Sequence, residues 1–382
     1  MMLRTLFCAA LMLCAAFPVA ADPPVDPAPV ETTPQASPPP DVPPPPPDSE
    51  RAIAIHGYLS QAFAISDGHQ VLGIPKQGTF DYRTAALQVR ATLSPKDSFV
   101  IQFTQERLGE SPAAAAGSGI DLDWIFYERQ LGASTHVRVG RIKVPFGIYN
   151  EIRFVGALLP FYRTPEVFYP VGGYAFSSVD GALVSRSLFA GRRFSLDADV
   201  YGGEWSFPQD RSATRITVKN GFGGQLWLST PIQGLRVGLG GNHSTWLNAI
   251  DQAPGARVPH SRWVASLDGN FDRFRLSAEF ERESFPGLAA TAQYVLASVR
   301  ATDRLSVNAQ ASTSRARVDL ARFDDQIARE LAAGLSFAIR PDLVVKVENH
   351  WATSRRFEVP GATFFDPPRK ASFAIVSLSA LF

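Results

Sequence analysis

Cysteine is nearly absent from this sequence. The 382 residues contain two cysteines, Cys8 and Cys14, and both lie close to the amino terminus. We predict that residues 1–21 form a secretory signal peptide, because Arg4 precedes a short apolar run and the small residues up to Ala21 suit cleavage there. The apolar run is too short to span a bilayer as a helix. The exported chain would therefore have no thiol, which excludes disulfides, zinc–thiolate centres and cysteine catalysis.

An excess of charge of either sign is also missing. Lys and Arg number 37, Asp and Glu number 36, and the formal net charge is +1. A nucleic-acid partner is therefore not expected, because binding to a phosphate backbone requires a basic surface. Most of the basic residues are arginines, whose planar guanidinium groups suit carboxylate and phosphate ions.

The sequence lacks the motifs of hydrolases and metalloenzymes. It has no G-x-S-x-G motif, and no spacing relates any of its six His residues to a nucleophilic serine. No two histidines are spaced to share a metal ion. We therefore expect no catalytic residues, no bound metal and no other cofactor.

Long apolar runs are absent beyond the signal peptide, and an alternation of period two takes their place. Apolar and polar residues alternate in segments such as 87–93, 235–239, 274–281 and 343–350. Successive side chains of a strand point to opposite faces, so each segment would have one apolar and one polar face. A soluble sandwich alternates in the same way, but its strands are usually about five or six residues long. The segments here commonly reach the roughly nine to eleven residues that a strand needs to cross a bilayer.

About sixteen strands can be placed in residues 51–382. We predict that they begin near residues 53, 83, 98, 120, 135, 178, 193, 219, 234, 261, 273, 292, 304, 330, 342 and 371. Connections from even-numbered to odd-numbered strands are short and rich in Pro, Gly, Asn and Asp, whereas most of the others are much longer. Short turns on one rim and long loops on the other are typical of bacterial outer-membrane barrels. Because lipid cannot satisfy an open sheet edge, we predict an all-β fold, a transmembrane antiparallel up-and-down β-barrel.

The carboxy-terminal segment is predicted to be the last strand. Apolar side chains occupy alternate positions in residues 370–382, and the last of them is Phe382. A terminal Phe on such a strand resembles the insertion signal by which the barrel-insertion machinery recognises outer-membrane proteins. The alternative is a domain that happens to end on a core strand.

Residues 22–50 differ in composition from the rest of the chain. They contain runs of proline, such as residues 43–47, and almost no large apolar side chain. Such a segment cannot bury enough surface to fold and favours extended polyproline II geometry. We predict a disordered periplasmic segment, and whether it serves as a plain leader, a spacer or an arm that contacts peptidoglycan stays open.

The longest connection is predicted at residues 144–177, after the fifth strand, and is the third long loop. Long loops in compact proteins are usually functional. This one is too aromatic to lie free in water, so we predict that it folds back into the lumen as a constriction loop. Its aromatic residues would either pin the loop to the barrel wall or line a path for a ligand. They are Phe161, Tyr162, Phe168, Tyr169 and Tyr174.

Charged residues on and before this loop are the candidates for the pore constriction. They are Arg138, Arg141, Lys143, Glu151, Arg153, Arg163 and Glu166. The basic members favour a mild anion preference, which the two glutamates oppose. Each of them could instead be a salt-bridge partner that holds the loop to the wall.

Residues 137–147, with the sequence VRVGRIKVPFG, resemble the strand and loop start of the phosphate-selective porin family and its uncharacterised relatives. The resemblance is specific over residues 135–181 and architectural over the remainder of 51–382. It implies a homotrimeric porin of the bacterial outer membrane whose third loop constricts the channel. The chain departs from the family in having few lysines and mixed charges on its polar strand faces, and mixed charges give weak selectivity. Phosphate selectivity is therefore not expected.

The expected function is that of a porin in contact with outer-membrane lipid, allowing passive diffusion of small hydrophilic solutes or ions. One alternative is a substrate-specific uptake channel for a sugar or an aromatic acid. The other is a structural outer-membrane tether that uses the Pro-rich segment and conducts negligibly.

Overall fold

The structure is a computed structural model, and it describes residues 52–111, 119–170, 178–191, 193–208, 215–247, 255–355 and 365–382. The predicted signal peptide and the Pro-rich segment lie outside the described residues.

Sixteen strands make up the fold. They are β1 (Ile53–Asp67), β2 (Thr79–Ser94), β3 (Asp97–Leu108), β4 (Asp121–Gln130), β5 (Thr135–Lys143), β6 (Ser178–Ala190), β7 (Ser195–Pro208), β8 (Arg215–Ser229), β9 (Leu235–Leu247), β10 (Arg257–Asn270), β11 (Phe274–Phe285), β12 (Leu288–Arg300), β13 (Leu305–Val318), β14 (Phe323–Arg340), β15 (Leu343–Ser354) and β16 (Arg369–Leu381). A single turn of 3-10 helix at Gly156–Leu158 interrupts the connection between β5 and β6. Within the described residues, no helix is long and apolar enough to cross a membrane.

The strands form one closed sheet. Each strand is antiparallel to its two neighbours in the chain, and β1 also pairs with β16. At this seam the backbone of Gly57 and that of Phe382 exchange two hydrogen bonds of 2.9 and 3.0 Å. The prediction of an all-antiparallel barrel of sixteen strands is confirmed.

The two faces of the wall have opposite polarity. In β16, the buried Ser377 and Ser379 alternate with Val376 and Leu378, which are 47% and 45% exposed. The same order recurs around the barrel: the buried inner face carries many Ser, Asn, Gln and charged side chains, whereas most exposed strand residues are Leu, Ile, Val and Phe. A water-soluble barrel has the reverse arrangement, because its apolar side chains form the core.

Several strands begin earlier than predicted on the rim that carries the long loops. The predicted starts 83, 219, 261, 292 and 330 correspond to Thr79, Arg215, Arg257, Leu288 and Phe323. Two of these added segments carry a charged residue that pairs with the neighbouring strand: Asp81 with Arg107 on β3, and Asp324 with Arg315 on β13. On this rim, the paired strand therefore extends beyond the part in which apolar and polar residues alternate.

Candidate functional site

The connection between β5 and β6 is described over residues 144–170, and all of its aromatic side chains except Phe154 are buried. Phe146, Tyr149, Phe161, Phe168 and Tyr169 are each exposed by 4% or less. The segment is therefore packed against the barrel along its length, as its aromatic composition requires.

The carboxylate of Glu279 on β11 provides one anchor for this connection. It accepts hydrogen bonds from the backbone N–H of Ile148 at 3.0 Å and from the hydroxyl of Tyr169. Tyr294 and Ser266 on the neighbouring strands also donate to it, at 2.6 and 2.5 Å. Each oxygen of Glu279 thus receives two donors, which satisfies a buried carboxylate.

Gly147 makes this approach possible. Its φ of 63° lies in the left-handed region that favours glycine. A Cβ at this position would overlap the hydroxyl of Tyr169 and the carboxylate of Glu279.

A second anchor lies on β15, at Lys346 and Glu348. The Lys346 ammonium donates to the carbonyl of Gly156 and, at 2.9 Å, to that of Phe161. Glu348 accepts from the backbone N–H of Tyr162 at 2.8 Å. His350 bridges Glu348 and Glu330 on the same face, at 3.2 and 2.7 Å.

The turn around Pro160 is held by neutral groups. Its carbonyl accepts from Asn308 Nδ2 on β13 at 2.9 Å and from Ser336 Oγ on β14 at 3.0 Å. Gly156 lies so close to the seam of β1 and β16 that a Cβ there would overlap the hydroxyls of Ser60 and Ser379.

Arg262 on β10 makes a third ionic contact with the connection. Its guanidinium forms an ion pair with Glu281, donates to the carbonyl of Phe168 at 3.3 Å and lies 4.1 Å from the ring centroid of Phe146. Hydrogen bonds from the connection therefore reach β10, β11, β13, β14 and β15.

A narrow gap of about 20 Å³ remains between the connection and β2 and β3. Glu106 and Thr84 lie on the strand side of this gap, and Arg153 and Arg163 lie on the loop side. Groups of opposite charge therefore face each other across it. The other lining residues are Leu108, Phe154, Tyr162, Thr164 and Tyr169.

The structure brings three of the predicted basic residues near Glu106. Arg163 pairs with Glu166 at 2.8 Å and donates to the Tyr82 hydroxyl at 2.9 Å. Arg153 donates to the carbonyl of Pro170 at 3.0 Å. The third, Lys143, is paired with Asp123 on β4 at 2.5 Å.

The remaining predicted charges lie elsewhere. Arg138 pairs with Glu128 at 2.6 Å and lies 4.0 Å from Glu151. Arg141 pairs with Asp180 on β6 at 3.2 Å. None of these three predicted residues is among those that line the gap.

Protonation states on the loop follow from burial and neighbours. Burial alone would lower the pKa of Arg163, but Tyr82, Glu166 and Glu106 outweigh it and raise that pKa above its usual value. Burial, reinforced by Glu279, raises the pKa of the Tyr169 hydroxyl well above its usual value. Arg163 therefore stays cationic and Tyr169 stays protonated at neutral pH.

Four of the five predicted loop aromatics are described, and all four contact the wall or line the gap. The ring centroid of Phe161 is 5.6 Å from that of His350, Tyr162 is 5.4 Å from Tyr82, and Phe168 is 5.4 Å from Tyr294. Tyr169 donates to Glu279, as described above. The fifth, Tyr174, lies outside the described residues.

Sequence reasoning missed the residues of the wall that hold the loop. Glu279, Lys346 and Glu348 lie in segments 274–281 and 343–350, whose alternation predicts strands but no role for these side chains, and nothing in the sequence distinguishes Glu106 or Asp123. A signal was present: β11 and β15 carry charged residues at consecutive positions of one face, as in Glu279, Glu281 and Glu283. Such density of charge on a buried face indicates bonding partners from elsewhere in the chain.

Metal binding has no candidate in the described part of the chain: no group of three or more His, Cys, Asp or Glu side chains is placed to hold an ion there.

Comparison with known proteins shows only that the chain has a fold similar to that of solved structures. No protein-family model matches the sequence, and no curated protein matches it. Solved structures do match. OmpF of Salmonella typhi in complex with daunomycin has 12% sequence identity and a TM-score of 0.60, over 87% of this chain and 98% of that chain.

Two further structures extend the comparison. The trimer form of Vibrio cholerae OmpT, folded in vitro, has 11% identity and a TM-score of 0.58, over 87% of this chain and 100% of that chain. The anion-selective porin from Comamonas acidovorans has 13% identity and a TM-score of 0.53, over the same shares. The chain therefore has the sixteen-stranded barrel fold that solved outer-membrane porins share.

Proposed function

We propose that this protein is a porin of the bacterial outer membrane through which small hydrophilic solutes and ions diffuse passively. The observation that carries the proposal is the polarity of the wall, apolar outside and polar inside, in a sheet with no open edge. Lipid requires that outer face, and a water-filled bore requires that inner one. The predicted signal peptide supplies the route of export.

The connection between β5 and β6 would act as the constriction. Its hydrogen bonds to inner-face residues of β10, β11, β13, β14 and β15 support a position across the bore. The charged groups at this constriction would then include Glu106, Arg153 and Arg163, which line the gap. We expect the selectivity to be weak and mildly anionic, because two cations face one carboxylate there.

The motif at residues 137–147 relates the chain to the phosphate-selective porins, but the charges around the gap do not favour phosphate. Lys143 and Arg163 each have an acidic partner in Asp123 and Glu166. A homotrimer is proposed by analogy with the trimer form of Vibrio cholerae OmpT.

Reconstitution in planar bilayers tests the function. We expect stable ion-conducting pores, with a reversal potential in asymmetric KCl that shows a small preference for chloride. Replacing both Arg153 and Arg163 with Ala should abolish this preference, because the remaining charge at the gap is that of Glu106.

The matched control replaces Arg315 and Arg317, which are 59% and 64% exposed on the long-loop side of β13. That variant removes the same charge away from the gap and should keep the reversal potential. Unchanged selectivity in the Arg153/Arg163 variant would refute the placement of these two arginines at the constriction. A barrel that inserts into the bilayer without conducting would favour the structural tether.

A further inference from the structure

A second and larger space lies on the short-turn side of the connection. It has a volume of about 300 Å³ and is bounded by residues 157–160 of the connection and by the turns that join β10 to β11 and β12 to β13. We refer to it as the underside cavity. Its volume is at the lower end of the range for pockets that hold small molecules.

Basic side chains dominate the wall of the underside cavity. Arg273, Arg275, Arg300 and Arg304 line it, together with Asp272 and Asp303. Four guanidinium groups against two carboxylates leave a net positive charge in the cavity.

These arginines are only partly neutralised. Arg300 pairs with Asp272 at 3.1 Å, and Asp272 is itself 88% exposed. Arg275 is 3.9 Å from Asp268, and its Nε is buried without a hydrogen-bond partner. Among the described residues, no ion pair involves Arg273 or Arg304. Donors therefore remain for an anion, and a guanidinium group binds a carboxylate through two parallel hydrogen bonds.

The opposite wall of the underside cavity is apolar. Leu158, Leu159 and Pro160 face it from the connection. Leu158 is 47% exposed, although most aromatic side chains of the same connection are buried. An exposed leucine opposite a cluster of arginines suits a ligand with an apolar body and an anionic group.

We propose that the underside cavity binds small organic monocarboxylates with an apolar or aromatic body, and that it makes the channel a preferential route for them. The arginines take the carboxylate, and Leu158 and Pro160 contact the apolar body. This inference rests on the proposed channel function and names the class of solute that the channel favours.

Block of single-channel chloride current by benzoate tests the proposal. We expect benzoate to reduce the current in a saturable way, with a lower half-blocking concentration from the short-turn side than from the long-loop side. Neutral benzamide should not block, because it lacks the charge. Acetate should block more weakly than benzoate, because it lacks the apolar body.

Two variants test the basic and the apolar residues of the underside cavity separately. Arg300→Ala combined with Arg304→Ala should raise the half-blocking concentration of benzoate at least about tenfold, because each charge-assisted hydrogen bond contributes about a factor of ten or more. Leu158→Ser should weaken block by benzoate but leave that by acetate unchanged. The control, Arg315→Ala with Arg317→Ala, should behave as the unmodified channel.

The results would distinguish loss of the carboxylate-binding site from loss of the channel function. A channel that conducts chloride but is not blocked by benzoate, or is blocked equally in both double-arginine variants, would overturn the inference and leave the porin function intact. Block by inorganic phosphate as strong as that by benzoate, and insensitive to Leu158→Ser, would overturn it too. If no variant conducts, titration calorimetry of benzoate with the folded barrel in detergent decides the binding, and absence of a heat signal overturns the site.

Discussion

Glu279 is the residue whose replacement tests the anchoring of the loop most directly. Its carboxylate accepts from Ile148 N and the Tyr169 hydroxyl on the loop, and from Ser266 and Tyr294 on the wall. We predict that Glu279→Gln, which keeps the shape of the side chain, loosens the loop without unfolding the barrel.

The magnitude follows from the number of donors. The amide of Gln has one accepting oxygen, so one pair of donors at this site would face an NH₂ group. The Tyr169 oxygen already accepts from Tyr149 N at 3.0 Å, so it is poorly placed to accept from the amide as well. Each pair consists of one donor from the loop and one from the wall, so the loss of a pair removes one hydrogen bond between loop and wall. A hydrogen bond to a charged group contributes about 1.5–3 kcal/mol, so docking weakens by about that amount. Since about 1.4 kcal/mol is a factor of ten, the undocked population should rise by about tenfold or more.

The assay is single-channel recording combined with thermal unfolding. We expect Glu279→Gln to show added current noise and brief events of larger conductance, while the unfolding temperature of the barrel changes little because the strand ladder is intact. Glu283→Gln is the matched control: it makes the same change on the same face of β11, and Glu283 bonds to His260 at 3.0 Å rather than to the loop. Identical currents from the two variants would show that the loop does not depend on Glu279.

Two further predictions concern the seam of β1 and β16. Deleting Phe382 should lower the amount of protein in the outer membrane, because the deletion removes the terminal aromatic residue and its two backbone hydrogen bonds to Gly57. Normal levels by surface labelling would contradict a role of Phe382 both as insertion signal and in closing the seam. Gly156→Val should displace the loop from the seam and change the single-channel conductance, since a Cβ there overlaps Ser60, whereas Gly119→Val, with open space around it, should not. Equal conductance in these two variants would mean that the loop tip does not limit the passage.

The barrel itself could be predicted from the sequence, because its cause is local. Each strand alternates between polar and apolar residues, which is the pattern expected of a wall with lipid on one side and water on the other. The starts of β1, β5 and β6 at Ile53, Thr135 and Ser178 coincide with the predicted positions. In β1 and β5 polar and apolar residues alternate close to the first residue of the strand, so these two boundaries are visible in the sequence alone.

Strand ends beyond the lipid were predicted less well, also for a physical reason. β14 begins at Phe323 rather than near residue 330. In that added segment Asp324 is paired with Arg315 on the neighbouring strand. Charged side chains such as Asp324 and Asp325 replace the apolar ones in this segment, so the pattern that marks a strand disappears although its backbone pairing continues.

The partners of the loop could not be predicted, because they are distant in the sequence. Ile148 and Glu279 are 131 positions apart, and Tyr162 and Glu348 are 186 positions apart. Composition alone indicated that the loop is too aromatic to be exposed, but no local pattern selects which acidic residue of the wall meets which backbone N–H. Only the closure of the barrel brings these strands to the loop.

Two basic residues of the candidate constriction are ion-paired, whereas some arginines of the underside cavity are not paired in the part of the chain that the structure describes, and this difference affects selectivity. Lys143 and Arg163, on the strand and loop that form the candidate constriction, each have a carboxylate within 2.8 Å, so their fields largely cancel a few ångströms away. In the underside cavity, by contrast, Arg304 has no ion-pair partner within the described residues, and the partner of Arg300 is 88% exposed. Uncancelled charge attracts counter-ions at longer range than a pair does. The underside cavity should therefore set the preference for organic anions, whereas Arg153 and Arg163 at the gap set the small preference for chloride. Reversal potentials and benzoate block, each measured after neutralising the two regions in turn, would separate these contributions.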